Sequence, residues 1–143
     1  MSRYVVSKCL LGHNCKYTGG NNNSEKVKNF CIGHEVVLIC PECLGGLSVP
    51  REPSEIRTEG GEKKVFSCSG KDVTEAFFKG AEKSLDIARK FNAELCILKD
   101  GSPSCGVHKV YDGSFSGTKI PGEGVAAALL KENGFAVICE EDV

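Results

Sequence analysis

The segment EVVLICPE, residues 35–42, joins an apolar, β-branched run of strand length to a turn that starts with cysteine and proline. A run of this kind is typical of a strand that is buried on both faces of a parallel sheet. Similar short apolar runs occur in YVVS (4–7), AELCILK (93–99) and FAVIC (135–139). The sequence therefore predicts that these four segments are strands.

Segments with helical spacing separate these strands. Ser24 is suited to cap a short helix over SEKVKNF (24–30), apolar residues recur every three or four positions within 72–91, and VAAALLKEN covers 125–133. Strands that alternate with helices predict an α/β fold with a mostly parallel, doubly wound, Rossmann-like sheet. The length matches that of one domain, so we expect residues 1–143 to form a single domain.

Two stretches depart from this alternation. CPECLGGLSVPREPSEIR (40–57) contains three prolines and two glycines, so we expect an ordered loop rather than a helix or strand. TEGGEKKVFS (58–67) is polar and has two adjacent glycines, which favours either a hairpin or a polar excursion around Gly60 and Gly61. Both stretches are expected to lie outside the parallel sheet.

A cysteine lies just beyond the carboxyl end of three of the predicted strands. Cys9 follows YVVS, Cys40 closes EVVLI, and Cys105 lies in the turn after AELCILK. Parallel strands have their carboxyl ends at one edge of the sheet, where open α/β sheets place their binding sites. We therefore expect these three thiols, which are far apart in the sequence, to lie close together.

The charge of the chain is balanced, with 18 basic and 19 acidic residues and a formal net charge of −1. The basic residues are spread along the sequence, which argues against a nucleic-acid partner. The longest apolar runs are too short to span a bilayer, and MSRYVVSKC lacks the features of an export signal. We expect a cytosolic protein that acts on a small molecule and does not bind membranes; the sequence leaves the oligomeric state open.

The chain has nine cysteines, an odd number that leaves at least one unpaired in a monomeric disulfide scheme. In a reducing compartment, metal binding or catalysis is the usual role of such residues. Cys96 and Cys139 lie in apolar strands and are expected to be small buried hydrophobic residues. Cys31 and Cys68 fall in connecting segments and receive no predicted function.

Zinc and thiol-redox sites are the alternatives for the remaining cysteines. Zinc sites usually combine two closely spaced pairs, whereas Cys40 and Cys43 form the only C-x-x-C here. A thioredoxin-like pair normally opens a helix, and this one runs into the expected glycine-rich loop. Cys15 lies six residues after Cys9, and the sequence does not decide whether it is a fourth metal ligand.

Three histidines and two basic residues are further candidates for the site. His13, His34 and His108 have no spacing typical of a helical zinc site. His108, three residues after Cys105, is expected to have at most a general polar role in the pocket. Arg51 and Lys99 are expected to be either solvated surface residues or cations that face a substrate.

Four motifs carry a resemblance to a known family. SKCLLGHNCKYTGG (7–20), ICPECLGGLSVPREPSEI (39–56), LKDGSPSCG (98–106) and YDGSFSGTKIPGEGVAAALL (111–130) occur in collinear order over nearly the whole chain. Together they resemble the family long catalogued as a domain of unknown function whose characterised members are thiouracil desulfidases.

The resemblance implies a four-iron four-sulfur (4Fe-4S) cluster held by Cys9, Cys40 and Cys105, with the fourth iron left open. It implies that this iron binds the sulfur of a thiolated nucleobase and that water converts 2-thiouracil to uracil and sulfide without electron transfer. Many relatives have an apolar residue in place of Cys15, which argues against an obligatory fourth ligand. The chain departs from the common pattern at Thr18 and Gly101, which bears on substrate preference.

Two residues are predicted to be catalytic. Glu42, two residues beyond Cys40, is the best-placed carboxylate to activate water, and Ser102 can orient water or substrate. The resemblance supports both assignments, while Ser104 is a weaker candidate because it adjoins Cys105. In the alternative interpretation, Glu42 only accepts backbone amides in its loop and Ser102 only shapes a turn.

Two further classes of function remain open at this point. An iron-sulfur sensor of oxygen or redox state would use the same cysteines without a substrate. A zinc-stabilised structural protein would be colourless after reconstitution, whereas the cluster is brown. The assay of 2-thiouracil separates the enzyme from both.

Overall fold

A computed structural model describes residues 1–143. The chain forms eight strands and four α-helices in this order: β1 (Arg3–Ser7), α1 (Glu25–Cys31), β2 (Glu35–Ile39), α2 (Pro41–Leu44), β3 (Ser54–Glu59), β4 (Glu62–Ser67), α3 (Thr74–Phe91), β5 (Leu95–Leu98), β6 (Lys109–Tyr111), β7 (Lys119–Pro121), α4 (Val125–Glu132) and β8 (Val137–Cys139). A short 3-10 helix, Lys8–Leu11, follows β1 directly. None of the helices has the length and apolar character needed to cross a membrane.

The main sheet contains four parallel strands in the order β2-β1-β5-β8. In β1, Tyr4 pairs with Val36 of β2 on one side and with Leu95 of β5 on the other. The chain adds strands in one direction from β1 and then reverses to place β5 on its other side. Such a reversal opens a crevice at the carboxyl ends of the two strands, where sites of doubly wound sheets form.

Helices cover both faces of this sheet, which confirms the predicted fold class. On one face, Val27 and Cys31 of α1 pack with Val6 and Ile97. On the other face, α3 and α4 pack against alternate strand residues; this core comprises Val5, Leu85, Ala88, Cys96, Leu98 and Leu130 among others. Each fully buried aliphatic side chain contributes on the order of 1.5–3 kcal/mol.

The segment after Cys40 differs from the sequence prediction, because it begins with a helical turn rather than a loop. Pro41 occupies the first turn of α2, where its missing N–H costs nothing. Gly45 and Gly80 let this turn lie directly on α3: a Cβ at Gly45 would stand 1.9 Å from the carbonyl oxygen of Ala76. Tertiary packing against α3 therefore overrides the turn chemistry of the glycines and prolines.

Two antiparallel hairpins lie outside the main sheet. The predicted hairpin at Gly60 and Gly61 is formed by β3 and β4, and both glycines have positive φ angles of 58° and 82°. A second hairpin, β6–β7, arises from the glycine-rich stretch after His108 and was not predicted. The hairpins are joined by hydrogen bonds from Gly113 N to Glu55 Oε1 (2.9 Å) and from Arg57 Nε to Gly113 O (3.0 Å).

Candidate active site

The three cysteines at strand ends line one cavity. Cys9 lies in the 3-10 helix after β1, Cys40 is the N-cap of α2, and Cys105 lies in the turn after β5. The cavity has a volume of about 430 Å³ and opens at the carboxyl edge of the sheet. The parallel topology thus brings thiols as distant in the sequence as those of Cys9 and Cys105 to the same cavity.

Two of these thiols are surrounded by hydrogen-bond donors. A hydrogen bond from the Cys15 thiol lowers the pKa of Cys9 to about 7, and the Asn22 side-chain amide donates to the same sulfur at 3.3 Å. A hydrogen bond from Cys15 also lowers the pKa of Cys40 to about 6. Each shift favours a thiolate, the form that binds metals, but the two shifts share the single Cys15 proton and therefore do not add.

Cys105 lies in a different environment. Burial raises the pKa of its thiol to about 12. Hydrogen bonds with the hydroxyls of Ser7 and Ser104 oppose this rise, and Ser104 Oγ lies 3.7 Å from the sulfur. In the metal-free protein this cysteine therefore stays protonated near neutral pH, and a nearby cation is needed to stabilise its thiolate.

Cys15 belongs to the same group of thiols, which the sequence left undecided. It is buried, and hydrogen bonds to Cys40 and Cys9 raise the pKa of its thiol. Since Cys15 has one thiol proton, it donates to one of these two neighbours at a time. Its carbonyl oxygen also accepts a hydrogen bond from Arg51 Nη2 at 2.9 Å.

Glu42 projects from the first turn of α2 into the cavity, and its carboxylate is held by side chains. Oε1 accepts from Arg51 Nε at 3.0 Å, and Oε2 accepts from Ser104 Oγ at 2.9 Å. None of its carboxylate hydrogen bonds comes from a backbone amide, so that alternative interpretation of Glu42 is wrong. The side chains of Glu42 and Arg51 are only 15% and 9% exposed. The expectation that Arg51 is a solvated surface residue is therefore also wrong.

The two serines differ in how closely their hydroxyls approach the Glu42 carboxylate. Ser104 is buried and makes the shorter hydrogen bond to Glu42, whereas Ser102 Oγ lies 3.5 Å from the same carboxylate oxygen. Ser102 Oγ also accepts the backbone N–H groups of Ser104 and Cys105, both at 3.1 Å. Ser102 therefore shapes the turn that carries Cys105 and also faces the cavity, while Ser104 is the main partner of the carboxylate.

Comparison with known proteins identifies the family. A model of the 2-thiouracil desulfurase family matches residues 4–142. The chain belongs to the 2-thiouracil desulfurase family. It is 47% identical over 145 residues to the uncharacterized protein YbbK of Bacillus subtilis (strain 168), covering 97% of this chain and 96% of YbbK. It is also similar to the solved structure of the 4Fe-4S-dependent thiouracil desulfidase TudS, with a TM-score of 0.90, 36% identity, and coverage of 100% of this chain and 93% of that one. The resemblance based on the four motifs is confirmed.

The histidines of this desulfurase-family chain lie away from the cavity. His108 points outward and bonds Asp142 at 2.7 Å, so it has no role in the cavity lining. His34 is partly buried and accepts the Ser2 backbone N–H at 3.0 Å, which is a structural role. The ligand atoms of only one set of His, Cys and acidic residues lie within 4.8 Å of one another, namely His108, Cys139 and Asp142. The sulfurs of Cys9, Cys40 and Cys105 do not form a set this close together, whereas the ligands of a single zinc ion must lie that close.

Several lining residues were missed by the sequence reasoning for this desulfurase-family chain. Tyr17, Tyr111, Phe115 and Lys119 reach the cavity from loops and from the second hairpin. The Lys119 ammonium lies 5.3 Å from the centre of the Tyr111 ring. An aromatic residue between the glycines of YDGSFSG was the available signal, because such glycines allow the backbone to fold closely around a ligand. Lys99 also lines the cavity and pairs with Glu140 at 3.0 Å.

Proposed function

We propose that this protein is a 4Fe-4S-dependent thiouracil desulfidase, which converts 2-thiouracil and water to uracil and hydrogen sulfide. The observation that carries the proposal is the meeting of Cys9, Cys40 and Cys105 around one cavity that also contains the Glu42 carboxylate. Membership of the desulfurase family and the likeness to TudS support the same activity. The reaction exchanges sulfur for oxygen and needs no external electron donor.

The donor set fits an iron-sulfur cluster. Cys9, Cys40 and Cys105 would be its ligands, because thiolates are the usual ligands of such clusters and these three come from separate, rigid turns. Cys9 and Cys40 have lowered pKa values, which favours the thiolate state, and the Asn22 amide is a hydrogen-bond donor to sulfur. When bound through three cysteines, the cluster supplies an open iron that acts as a soft Lewis acid toward a thiocarbonyl sulfur.

Glu42 is the proposed general base. Its Oε2 faces the cavity, where it can accept a proton from the water that attacks the thiocarbonyl carbon. Arg51 occupies Oε1 and leaves Oε2 as the oxygen available for proton transfer. A base positioned in this way typically contributes on the order of 10²- to 10⁴-fold in rate.

Ser104 and Ser102 are proposed to orient the water and the base. Their hydroxyls lie 2.9 Å apart and both approach the same carboxylate oxygen. This arrangement holds Glu42 in one rotamer and offers a hydroxyl donor and acceptor beside it. Preorganised groups of this type lower the cost of reaching the transition state.

Another part of the cavity lining is suited to a small planar ring. Tyr17, Tyr111 and Phe115 offer aromatic faces, and Lys119 offers a cation beside them. The ring of 2-thiouracil is flat and carries a carbonyl oxygen, so stacking and one charge-assisted hydrogen bond would orient it. The cavity volume of about 430 Å³ lies within the range of small-molecule sites.

The proposed place of action is the cytoplasm, where a reducing environment keeps thiols available for metal binding. All nine cysteines are free thiols. A sensor without a substrate has no need for a carboxylate with two hydroxyl partners beside the thiols, and a structural zinc ion would need its ligands closer together. The desulfidase therefore accounts for more of the observed side chains than either alternative.

The test is anaerobic reconstitution with iron and sulfide, followed by an assay of 2-thiouracil for release of uracil and sulfide. We expect turnover in the native protein and loss of both brown colour and turnover in Cys9→Ala, Cys40→Ala and Cys105→Ala. Cys15→Ala should keep both. A brown protein that releases no uracil would support the sensor instead, and a colourless protein that binds only zinc would refute the cluster.

A further inference from the structure

A second group of ligating side chains lies beside β8, at the edge of the main sheet. Cys139 is the last residue of β8, Asp142 follows three residues later, and His108 comes from the loop before β6. One ligand atom from each of these residues lies within 4.8 Å of the other two. None of the three lines the cavity of the candidate active site.

The backbone holds this group in position. Asp142 Oδ2 accepts the backbone N–H of Cys139 at 2.9 Å, and the N–H of Asp142 donates to the carbonyl of Cys139 at 3.1 Å. On the other side, the backbone N–H of His108 donates to the buried Asp100 carboxylate at 3.0 Å. These bonds position the backbone around the group, and the three side chains lie close together before any ligand arrives.

One side of this group is buried in the protein, and the other side is exposed to solvent. Cys139 is 1% exposed, whereas the side chains of His108 and Asp142 are 57% and 35% exposed. An ion can therefore enter from solvent and meet a sulfur that is shielded from water.

We propose that Cys139, His108 and Asp142 bind a zinc ion through sulfur, Nε2 and a carboxylate oxygen. Zinc suits this mixed donor set, whereas calcium and magnesium prefer oxygen ligands alone. Water fills the fourth position, because three protein ligands leave one tetrahedral position open. This site is separate from the thiols of the cavity and does not depend on the proposed desulfidase activity.

Binding requires two local changes. The Cys139 thiol loses its proton to solvent as the zinc–sulfur bond forms. His108 binds as the neutral imidazole with its proton on Nδ1, so its 2.7 Å hydrogen bond to Asp142 gives way to two bonds to the metal. The ion then links the C-terminal segment to the loop that also carries Cys105, which stabilises the folded chain in proportion to the free zinc concentration.

The test uses the cluster-reconstituted protein, equilibrated with zinc and freed of excess ion. X-ray absorption at the zinc edge does not detect iron, so the spectrum describes the zinc site alone. We expect one zinc per chain with a single sulfur at about 2.3 Å and nitrogen or oxygen at about 2.0–2.1 Å. His108→Ala should weaken zinc binding by more than the roughly 10- to 100-fold that loss of an outer partner costs.

Matched variants keep the test decisive. Cys68→Ala and His13→Ala remove a cysteine and a histidine from outside the group and should leave zinc affinity unchanged. Asp142→Asn, on the surface, provides a second ligand variant that does not disturb the core. Zinc with two or more sulfur neighbours, unchanged affinity in His108→Ala, or no bound zinc would each overturn the proposal.

Discussion

The cavity and the Cys139 group lie at the same edge of one sheet, yet they differ in how their ligands are arranged. In the cavity, thiols surround a space of about 430 Å³, and a carboxylate faces the same space. In the Cys139 group, one sulfur, one imidazole and one carboxylate lie within 4.8 Å around a single point. The parallel topology brings the ligating side chains of both regions to the same edge of the sheet. The segment that follows each strand determines whether these side chains line a large cavity or form a compact group.

The segments that follow Cys40 and Cys139 explain the difference. After Cys40, α2 turns away onto α3 and leaves room for Glu42 and Arg51 to line a wall. After Cys139, the chain folds back within three residues, so that Asp142 covers the sulfur. The loop between β5 and β6 contributes to both regions, with Cys105 in the first and His108 in the second.

Replacing one cysteine in each region with alanine should give the largest effects, because the two regions are proposed to bind different metals. Cys40→Ala should abolish cluster binding and desulfidation but leave zinc at the Cys139 group. Cys139→Ala should lose the zinc and keep the cluster iron, because Cys139 does not line the cavity. Iron, sulfide and zinc analyses of both reconstituted variants provide the measurement. Loss of iron in Cys139→Ala with retention in Cys40→Ala would reverse the assignment of the two regions.

The carboxylate of the cavity gives the next largest effect. Glu42→Gln keeps the size of the side chain and removes its ability to accept a proton, so kcat should fall by about 10²- to 10⁴-fold. Iron content should stay at the native level, which separates catalysis from cluster binding. Steady-state kinetics on 2-thiouracil, with the exposed Glu35→Gln as control, provide the comparison. Unchanged kcat in Glu42→Gln would remove Glu42 from the mechanism.

The two serines sharpen the description of the cavity. Hydrogen bonds to charged groups contribute about 1.5–3 kcal/mol, so Ser104→Ala should reduce kcat roughly 10- to 100-fold. Ser102→Ala should reduce kcat less, because its hydroxyl lies 3.5 Å from the carboxylate rather than 2.9 Å. The ratio of the two kcat values is the quantity to measure. A larger loss in Ser102→Ala would mean that the shape of the Cys105 turn matters more than the partner of Glu42.

Asp100 connects the two regions and should affect stability more than chemistry. Burial alone would raise the pKa of this carboxyl, but hydrogen bonds from the backbone N–H groups of residues 108, 107, 109 and 101 lower it on balance. Replacing charge-assisted bonds with neutral ones in Asp100→Asn should cost about 1–3 kcal/mol at neutral pH.

The pH dependence of this cost follows from the direction of the shift. A carboxyl with a lowered pKa stabilises the fold above its ordinary pKa, and that contribution is lost as pH falls toward the folded value. Urea unfolding should therefore show a difference between native protein and Asp100→Asn that is large at neutral pH and shrinks in acid. A difference that does not change with pH would mean that the charge of Asp100 contributes nothing.

The strands and the meeting of the three cysteines could be predicted, because both depend on local patterns. Short apolar runs identify parallel strands, and the direction of those strands places Cys9, Cys40 and Cys105 at one edge. The spacing of apolar residues was also sufficient to predict helix α3. These features need no knowledge of which loop packs on which helix.

The rest depended on contacts between distant segments. The α2 turn forms because Gly45 and Gly80 allow it to lie on α3, a pairing that no local pattern indicates. Arg51 is buried where it pairs with Glu42 of that turn and donates to the carbonyl of Cys15, a residue 36 positions away. The short hydrogen bond from Ser104 to Glu42 could not be predicted for the same reason, since it joins residues 62 positions apart.

Mössbauer spectroscopy can detect the proposed open iron in protein reconstituted anaerobically with isotopically enriched iron and measured with and without 2-thiouracil. We expect four irons per chain, as in the cluster of TudS, of which one changes its spectrum on addition of 2-thiouracil while uracil and sulfide are released. Four irons that all keep thiolate-ligated spectra in the presence of 2-thiouracil, with no uracil formed, would contradict this proposal.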